Sequence, residues 1–338
     1  MRSLAAGTFV TVTVMVVAIT ASAPASQKET PSHAVDQAQM DRWKKELSNW
    51  GRWGPDDQKG ALNLITPAKR KQAAALVREG FPVSLARDEV PEKAPDNPSP
   101  YSQIFRKTDI ASFDDIAVVY HGLAHTHYDA LAHHFYSTGE MYNGYPHKEG
   151  VTLEGGATKN SVINAKTGIF TRGILMDIPR LRGVPYLEPG TSVYVEDLEA
   201  WEKQAGIKVS SGDALFIRTG RWARRAKLGV ENVGNEMAGL DASVIPWLRA
   251  RDVALLGSEH AVDRRPRPAS QTTTMPEDSQ AVHNFTLVAL GVTVIDNCDF
   301  EALSEAAAAR KRWEFLLTMA PLPMVRGTGS PINPIALF

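Results

Sequence analysis

Gly173-Ile-Leu-Met-Asp-Ile178 is an apolar run of strand length, and it opens an alternation of strand and helix patterns that sets the fold class. Val195 to Gln204 has helical spacing, Ala214-Leu-Phe-Ile-Arg218 reads as a strand, Asp241 to Ala250 as a helix and Val253-Ala-Leu-Leu256 as a strand. Ser279 to Leu290 is then a helix with Gly291 past its end, Val292 to Ile295 a strand, Phe300 to Arg310 a helix and Phe315 to Met319 a strand. This alternation predicts an α/β domain in which helices cover a sheet. Towards the N-terminus, Met40 to Leu47 and Pro67 to Glu79 are helical patterns, the second with Pro at its first turn and Gly80 at its end. Between them two tryptophans among glycines mark a shaped loop, and the prolines between Glu92 and Tyr101 mark an extended one.

The 338 residues are 43% hydrophobic, ample for a core, and the formal net charge of -1 without a long basic run argues against a nucleic-acid partner. A small-molecule substrate suits that balance better. Cys298 is the one cysteine, so there is no intramolecular disulfide, and any metal must be held by His, Asp or Glu. Arg2, the apolar Val10 to Thr20 and the small residues Ala21-Ser-Ala-Pro-Ala25 read as a signal peptide cleaved after Ala25. The chain then divides into this signal (1–25), an N-terminal arm (26–48) and one domain (49–338). The mature protein is expected to be exported, periplasmic or secreted, with no membrane partner after cleavage.

Five of the nine histidines fall in His121-Gly-Leu-Ala-His125-Thr-His127-Tyr-Asp129-Ala-Leu-Ala-His133-His134. If Ala117 to Asp129 is a strand, His121, His125, His127 and Asp129 share one face, because side chains alternate with period two. Imidazoles and a carboxylate on one face are what a divalent metal takes. His134 falls outside that pattern and is expected to face solvent.

Thr126-His127-x-Asp129-x-x-x-His133 resembles the H-x-G-T-H-x-D-x-P-x-H signature of the cyclase family of metal-dependent hydrolases, which includes the bacterial kynurenine formamidases. Arg172-Gly-Ile-Leu-Met-Asp177, Gly212 to Trp222, Pro321 to Pro331 and the Trp53-Gly-x-x-Asp-x-x-Gly-x-x-Asn63 opening resemble further family segments, as in its long-chain branch. The resemblance implies a mixed β-sheet core with surrounding helices, in a single domain of swivelling β/β/α type. It implies that His127 and Asp129 are ligands of a divalent ion, Zn or Mn, that His133 is the acid/base, and that His283 and Asp296 complete the site. Where the family has its first metal histidine this chain has Leu123, and where it has glycine this chain has His125. Strand parity offers His125 or His121 as the substitute, with His125 preferred for its closeness to His127.

The implied reaction is hydrolysis of a carbon–nitrogen bond in an amide, a formamide or cyclic amide on an aromatic ring, in a homodimer or homotetramer. Trp53, Tyr128, Phe135 and Tyr142 are the expected substrate walls. A lactone or ester hydrolase on the same site is the alternative, and Leu123 motivates a third reading, a non-catalytic binding protein. Ser258-Glu259-His260 and Asp263 end a buried strand, and Glu259 and Asp263 read as structural. The long segment Val262 to Gln280 is a candidate lid or oligomer arm. With no Gly-x-Ser-x-Gly elbow, a serine hydrolase has no support.

Overall fold

The computed structural model describes Met1 and residues 33–230, 234, 236–266, 271–272 and 279–338. The expected signal peptide, apart from Met1, and the first residues of the arm lie outside these. So does most of the expected lid.

The alternation from Gly173 onward builds the middle of a nine-stranded mixed sheet. Its strands are β1 (Pro82–Ser84), β2 (His127–Asp129), β3 (Ile169–Asp177), β4 (Ala214–Arg218), β5 (Leu255–Ser258), β6 (Thr293–Asp296), β7 (Glu314–Met319), β8 (Gly329–Pro331) and β9 (Ile335–Leu337). Across the sheet they run β8-β2-β6-β5-β4-β3-β7-β9-β1. The central four, β3 to β6, are parallel, and the strands flanking them are antiparallel.

Strand β4 is buried at all five positions. A parallel strand covered on both faces needs apolar residues at both parities, which is why Ala-Leu-Phe-Ile does not alternate. Leu215 and Ile217 join one apolar cluster with Val294, while Ala214 and Phe216 join the other with Ile295 and Phe315. Each large apolar side chain among these contributes about 1.5–3 kcal/mol by leaving water.

Side-chain oxygens start the first two helices, as their sequences dictate. Asp36 accepts from Gln39 N at 2.7 Å to open α1 (Gln37–Glu46), and Thr66 accepts from Lys69 N at 3.1 Å to open α2 (Pro67–Ala74). Helix α2 stops at Ala74, short of Glu79, and residues 75–80 lead on to Phe338, whose carbonyl accepts from Glu79 N and Gly80 N. Helices α3 (Val195–Ala205), α4 (Arg221–Leu228), α5 (Ala281–Val288) and α6 (Glu301–Arg310) come later in the chain. All eight residues of α5 are buried, so its interior position places His283 inside the protein.

The expected strand from Ala117 to Asp129 is not one element. Ser112–Ala117 pairs with Ser102–Lys107 as a separate hairpin, residues 118–126 form no strand, and β2 holds only His127–Asp129. The short strands β1, β8 and β9 carried no clear pattern in the sequence and are set by pairing at the sheet margins. Among the described residues no helix is long and apolar enough to cross a membrane.

Candidate metal centre

Register brings the first three side chains together. In the antiparallel pair β2 and β6, His127 lies opposite Asp296 and Asp129 opposite Val294. Directly opposed residues project to the same face, so His127, Asp129 and Asp296 converge while Tyr128 and Ile295 point the other way into the core. Helix α5 supplies His283. Its Nε2 stands 3.2 Å from Asp129 Oδ2 and 3.2 Å from Asp296 Oδ2. The start of α5 is fixed by Asp263, whose carboxylate accepts from Val282 N at 2.8 Å and His283 N at 2.9 Å.

The fifth side chain comes from the loop. His121 Nδ1 lies 2.9 Å from Asp129 Oδ1, with its Nε2 3.1 Å from Thr328 Oγ1. Its ring rests over Gly329, where a Cβ would fall 2.7 Å from His121 Cε1 and 2.5 Å from Tyr128 O. Only glycine leaves that room. His133 stacks on His121 with ring centroids 3.9 Å apart, and its Nε2 is 3.8 Å from Asp129 Oδ1.

His125 is not part of the cluster, contrary to the parity argument. Its ring meets Glu89 and, at 2.9 Å, the carbonyl of Ser99. Parity fails because residues 121–126 are a loop, turned at Gly122 with φ 151°, which carries His121 back onto Asp129 and leaves His125, itself buried, facing Glu89 instead. The loop is held from behind. Asn297 Nδ2 donates to the carbonyls of Gly122 (2.8 Å) and His125 (3.0 Å), and Arg221 donates to that of Leu123 (2.7 Å). His125 therefore serves the site through its backbone: its carbonyl accepts from His127 Nδ1 at 2.8 Å. With that nitrogen protonated, His127 Nε2 carries the lone pair, 3.4 Å from Asp129 Oδ1.

The charges at the centre are tightly interdependent. Burial alone would raise Asp129, but His133, His127, His121 and His283 outweigh it and hold the carboxyl well below its ordinary range. Burial raises Asp296. It would lower His283, but Asp296 and Asp129 raise that imidazole to about 10. His133 is pushed down to about 4 by burial, so it is neutral near pH 7.

Two sets of ligand atoms lie within 4.8 Å of one another among the described residues: His121, Asp129 and His133, and His127, Asp129 and Asp296. Asp129 belongs to both. Among the described residues the ion-pair partners of Asp129 and Asp296 are imidazoles, and Asp296 Oδ1 is buried without a hydrogen bond. Buried anions so arranged fit a cation with nitrogen and oxygen ligands.

Next to these groups is a cavity of about 310 Å³ whose lining includes His121, Leu123, His133, Arg265, Gln280 and His283. None of the four expected aromatic walls lines it. Tyr128 is turned into the core by strand alternation, and Tyr142 is buried with its hydroxyl on Asp57 at 2.8 Å. Trp53 packs beside the core under Arg52, and Phe135 stacks on His147 at 3.5 Å on the surface. His134, expected in solvent, instead lines the same cavity and packs against the His283 ring at 4.5 Å, its pKa well lowered by burial. Arg265 and Gln280 lie in the segment Val262 to Gln280 read as a candidate lid or oligomer arm, where nothing singled out either as lining the site. Glu259 has the structural role expected of it: it accepts from the backbone N–H groups of Thr219 and Gly220, both at 2.7 Å, at the start of α4.

A mixed sheet with a histidine- and aspartate-lined cavity at β2 and β6 defines the class, an α/β protein with a candidate metal centre. A sequence model of the Cyclase family matches residues 83–264, and a solved structure described as a novel cyclase is 30% identical, covering 87% of this chain and 100% of its own with a TM-score of 0.76. The chain belongs to the cyclase family. Its fold is also shared by isatin hydrolase A from Ralstonia solanacearum (19% identity, 78% of this chain and 93% of that one, TM-score 0.51). An isatin hydrolase bound to the product analogue thioisatinate is similar too (18%, 82% and 98%, TM-score 0.53). A comparison with curated proteins gives no match.

Proposed function

We propose that this protein is a metal-dependent hydrolase that cleaves the carbon–nitrogen bond of an amide, a formamide or cyclic amide on an aromatic ring. The observation that carries the reading is Asp129: fully buried, shared by two sets of ligand atoms and surrounded by His121, His127, His133 and His283. The names of the isatin hydrolases that share the fold support this choice of substrate class, since isatin carries a cyclic amide fused to an aromatic ring.

His121, His127, Asp129, His283 and Asp296 would hold a divalent ion, with Zn or Mn suited to such ligands. When bound, the ion lowers the pKa of water and polarises a carbonyl. The chain's own residues do the rest. Asp129 and Asp296 balance two positive charges in a buried place. The carbonyl of His125 keeps the His127 lone pair turned inward. His133, neutral near pH 7 and on the cavity side of Asp129, takes the proton released as water adds to the carbonyl carbon. It returns that proton to the departing nitrogen, and the carbon–nitrogen bond breaks to give a carboxylic acid and an amine. The same chemistry on an ester oxygen gives the second reading, a lactonase. The pattern of residues 1–25 supports export as part of the proposal.

Metal analysis of the purified protein beside His127→Ala and Asp129→Ala, with turnover assayed on N-formyl aromatic amines, cyclic imides and lactones, tests it. Bound metal lost in both variants together with amide turnover is the expected result. A wild-type protein that binds no divalent ion, or variants with unchanged turnover, would refute it. Turnover of lactones alone would favour the second reading.

A further inference from the structure

The cavity beside the metal centre has a second pole. Away from the histidines and Asp296, its lining includes the uncharged Gly122, Leu123, Ala261 and Gln280 and one permanent cation, Arg265. With a divalent ion in place, Asp129 and Asp296 balance its two charges, and imidazoles that ligate it are neutral. Among the described lining residues, Arg265 is then the formal charge left over.

Backbone pairing holds Arg265 in place. Met237 N donates to Arg265 O and Arg265 N to Met237 O, both at 2.9 Å, and Leu240 N donates to Val262 O at 2.9 Å. Gly239 allows this close approach, since a Cβ there would fall 2.5 Å from Val262 O. Alternation along the segment separates the two arginines. Arg264 Nε donates to Gly190 O, while the half-buried Arg265 reaches the cavity.

Arg265 Nη1 donates to Gly234 O at 2.9 Å, which fixes one corner of its planar guanidinium. Among the described residues no carboxylate forms an ion pair with it. Asp263, two residues back, is engaged instead with the N–H groups of Val282 and His283. The rest of the fork matches a planar anion that accepts two parallel bonds, which is the geometry of a carboxylate.

Building on the reading of this site as an amide hydrolase, we propose that Arg265 is a specificity residue and that the preferred substrate is an anionic amide. Its carboxylate stands at the end remote from the scissile carbon–nitrogen bond. The amide is held at the metal pole next to His133 and the carboxylate at Arg265, so both ends are fixed before water adds.

Formamidobenzoates test this with the metal-loaded protein, beside the matching formamidoacetophenones, in which a neutral acetyl group of similar shape replaces the carboxylate. The wild type should favour the acid in kcat/KM. Arg265→Gln should lower that acid-over-ketone ratio about 10- to 100-fold, mainly through KM. Arg265→Lys should restore part of the ratio, and Arg265→Glu should turn the preference toward formamidobenzylamine. A ratio unchanged in Arg265→Gln, or both substrates slowed equally, would overturn the proposal while leaving the hydrolase reading intact. Calorimetric binding of benzoate needs no turnover and decides the role of Arg265 separately. Arg265→Gln should weaken it about 10- to 100-fold at equal metal content. Equal affinity in the two proteins would overturn the proposal, because the carboxylate would then be held by the ion alone.

Discussion

His127 and Asp296 are directly opposed across β2 and β6, although nearly half the chain separates them in sequence. Their juxtaposition is what turns a histidine-rich stretch into a site, and Asp129, one pleat along, ties both sets of ligand atoms together.

Asp129→Asn should therefore do more damage than Asp296→Asn. It removes the charge of a member of both sets and sets an amide with a single acceptor oxygen against buried imidazoles on both sides, a change of the kind that costs about 3–5 kcal/mol. Metal content measured after dialysis, with thermal unfolding of the chelated proteins, should rank Asp129→Asn below Asp296→Asn, and the reverse order would contradict the shared role.

Ion binding should strengthen with pH. Without an ion, His283 holds a proton up to about pH 10. A ligand nitrogen must give up that proton, so apparent affinity should rise about tenfold per pH unit through neutrality from this group. Stability of the chelated protein moves the other way. The raised pKa is a contribution fully present below about 6.5 and lost as pH climbs toward about 10. Calorimetry at several pH values checks both signs, and a pH-independent affinity would exclude a protonated His283.

His121→Ala and His125→Ala should separate cleanly. The first should lower metal affinity, by about 10- to 100-fold if His121 only orients Asp129 and by more if it is a ligand. The second should leave metal content near normal while lowering the unfolding temperature, because the side chain ties Glu89 and the Ser99 carbonyl to the loop. Equal loss of metal in both would contradict this division.

Gly329→Ala offers an indirect route to the same ligand. The added methyl falls 2.7 Å from His121 Cε1, which can yield, and 2.5 Å from the backbone carbonyl of Tyr128, which can move only with β2 itself. The variant should lose at least as much metal affinity as His121→Ala, as equilibrium competition with a chromophoric chelator would show, and should also unfold at a lower temperature.

His133→Ala should cut turnover about 10²- to 10⁴-fold and retain metal. Metal analysis and turnover on one preparation decide it. Loss of the ion along with activity would place His133 among the ligands.

The alternating half of the chain was legible because central parallel strands are continuous apolar runs such as Ala214–Arg218 and the helices between them have period and caps. The marginal strands Pro82–Ser84 and Gly329–Pro331 are three residues long and owe their form to a neighbour, so no local pattern announced them. In the site, residue type pointed to the cluster, but parity put His121 and His125 on one face and closeness to His127 favoured His125, because a loop at Gly122 cannot be told from a strand by alternation alone. The expected aromatic walls failed for a related reason: proximity in sequence to His127 does not give a direction, and Tyr128 points opposite to both its neighbours.

The part played by Gly329, Thr328 and β8 bears on when the centre can exist. These residues come near the end of the chain, yet they seat His121 and complete the sheet beside β2. On the ribosome the histidine run emerges early and must wait for Asp263, His283, Asp296 and finally β8 before its geometry closes. The segment is not a portable chelating cassette, and loading comes after the completion of folding.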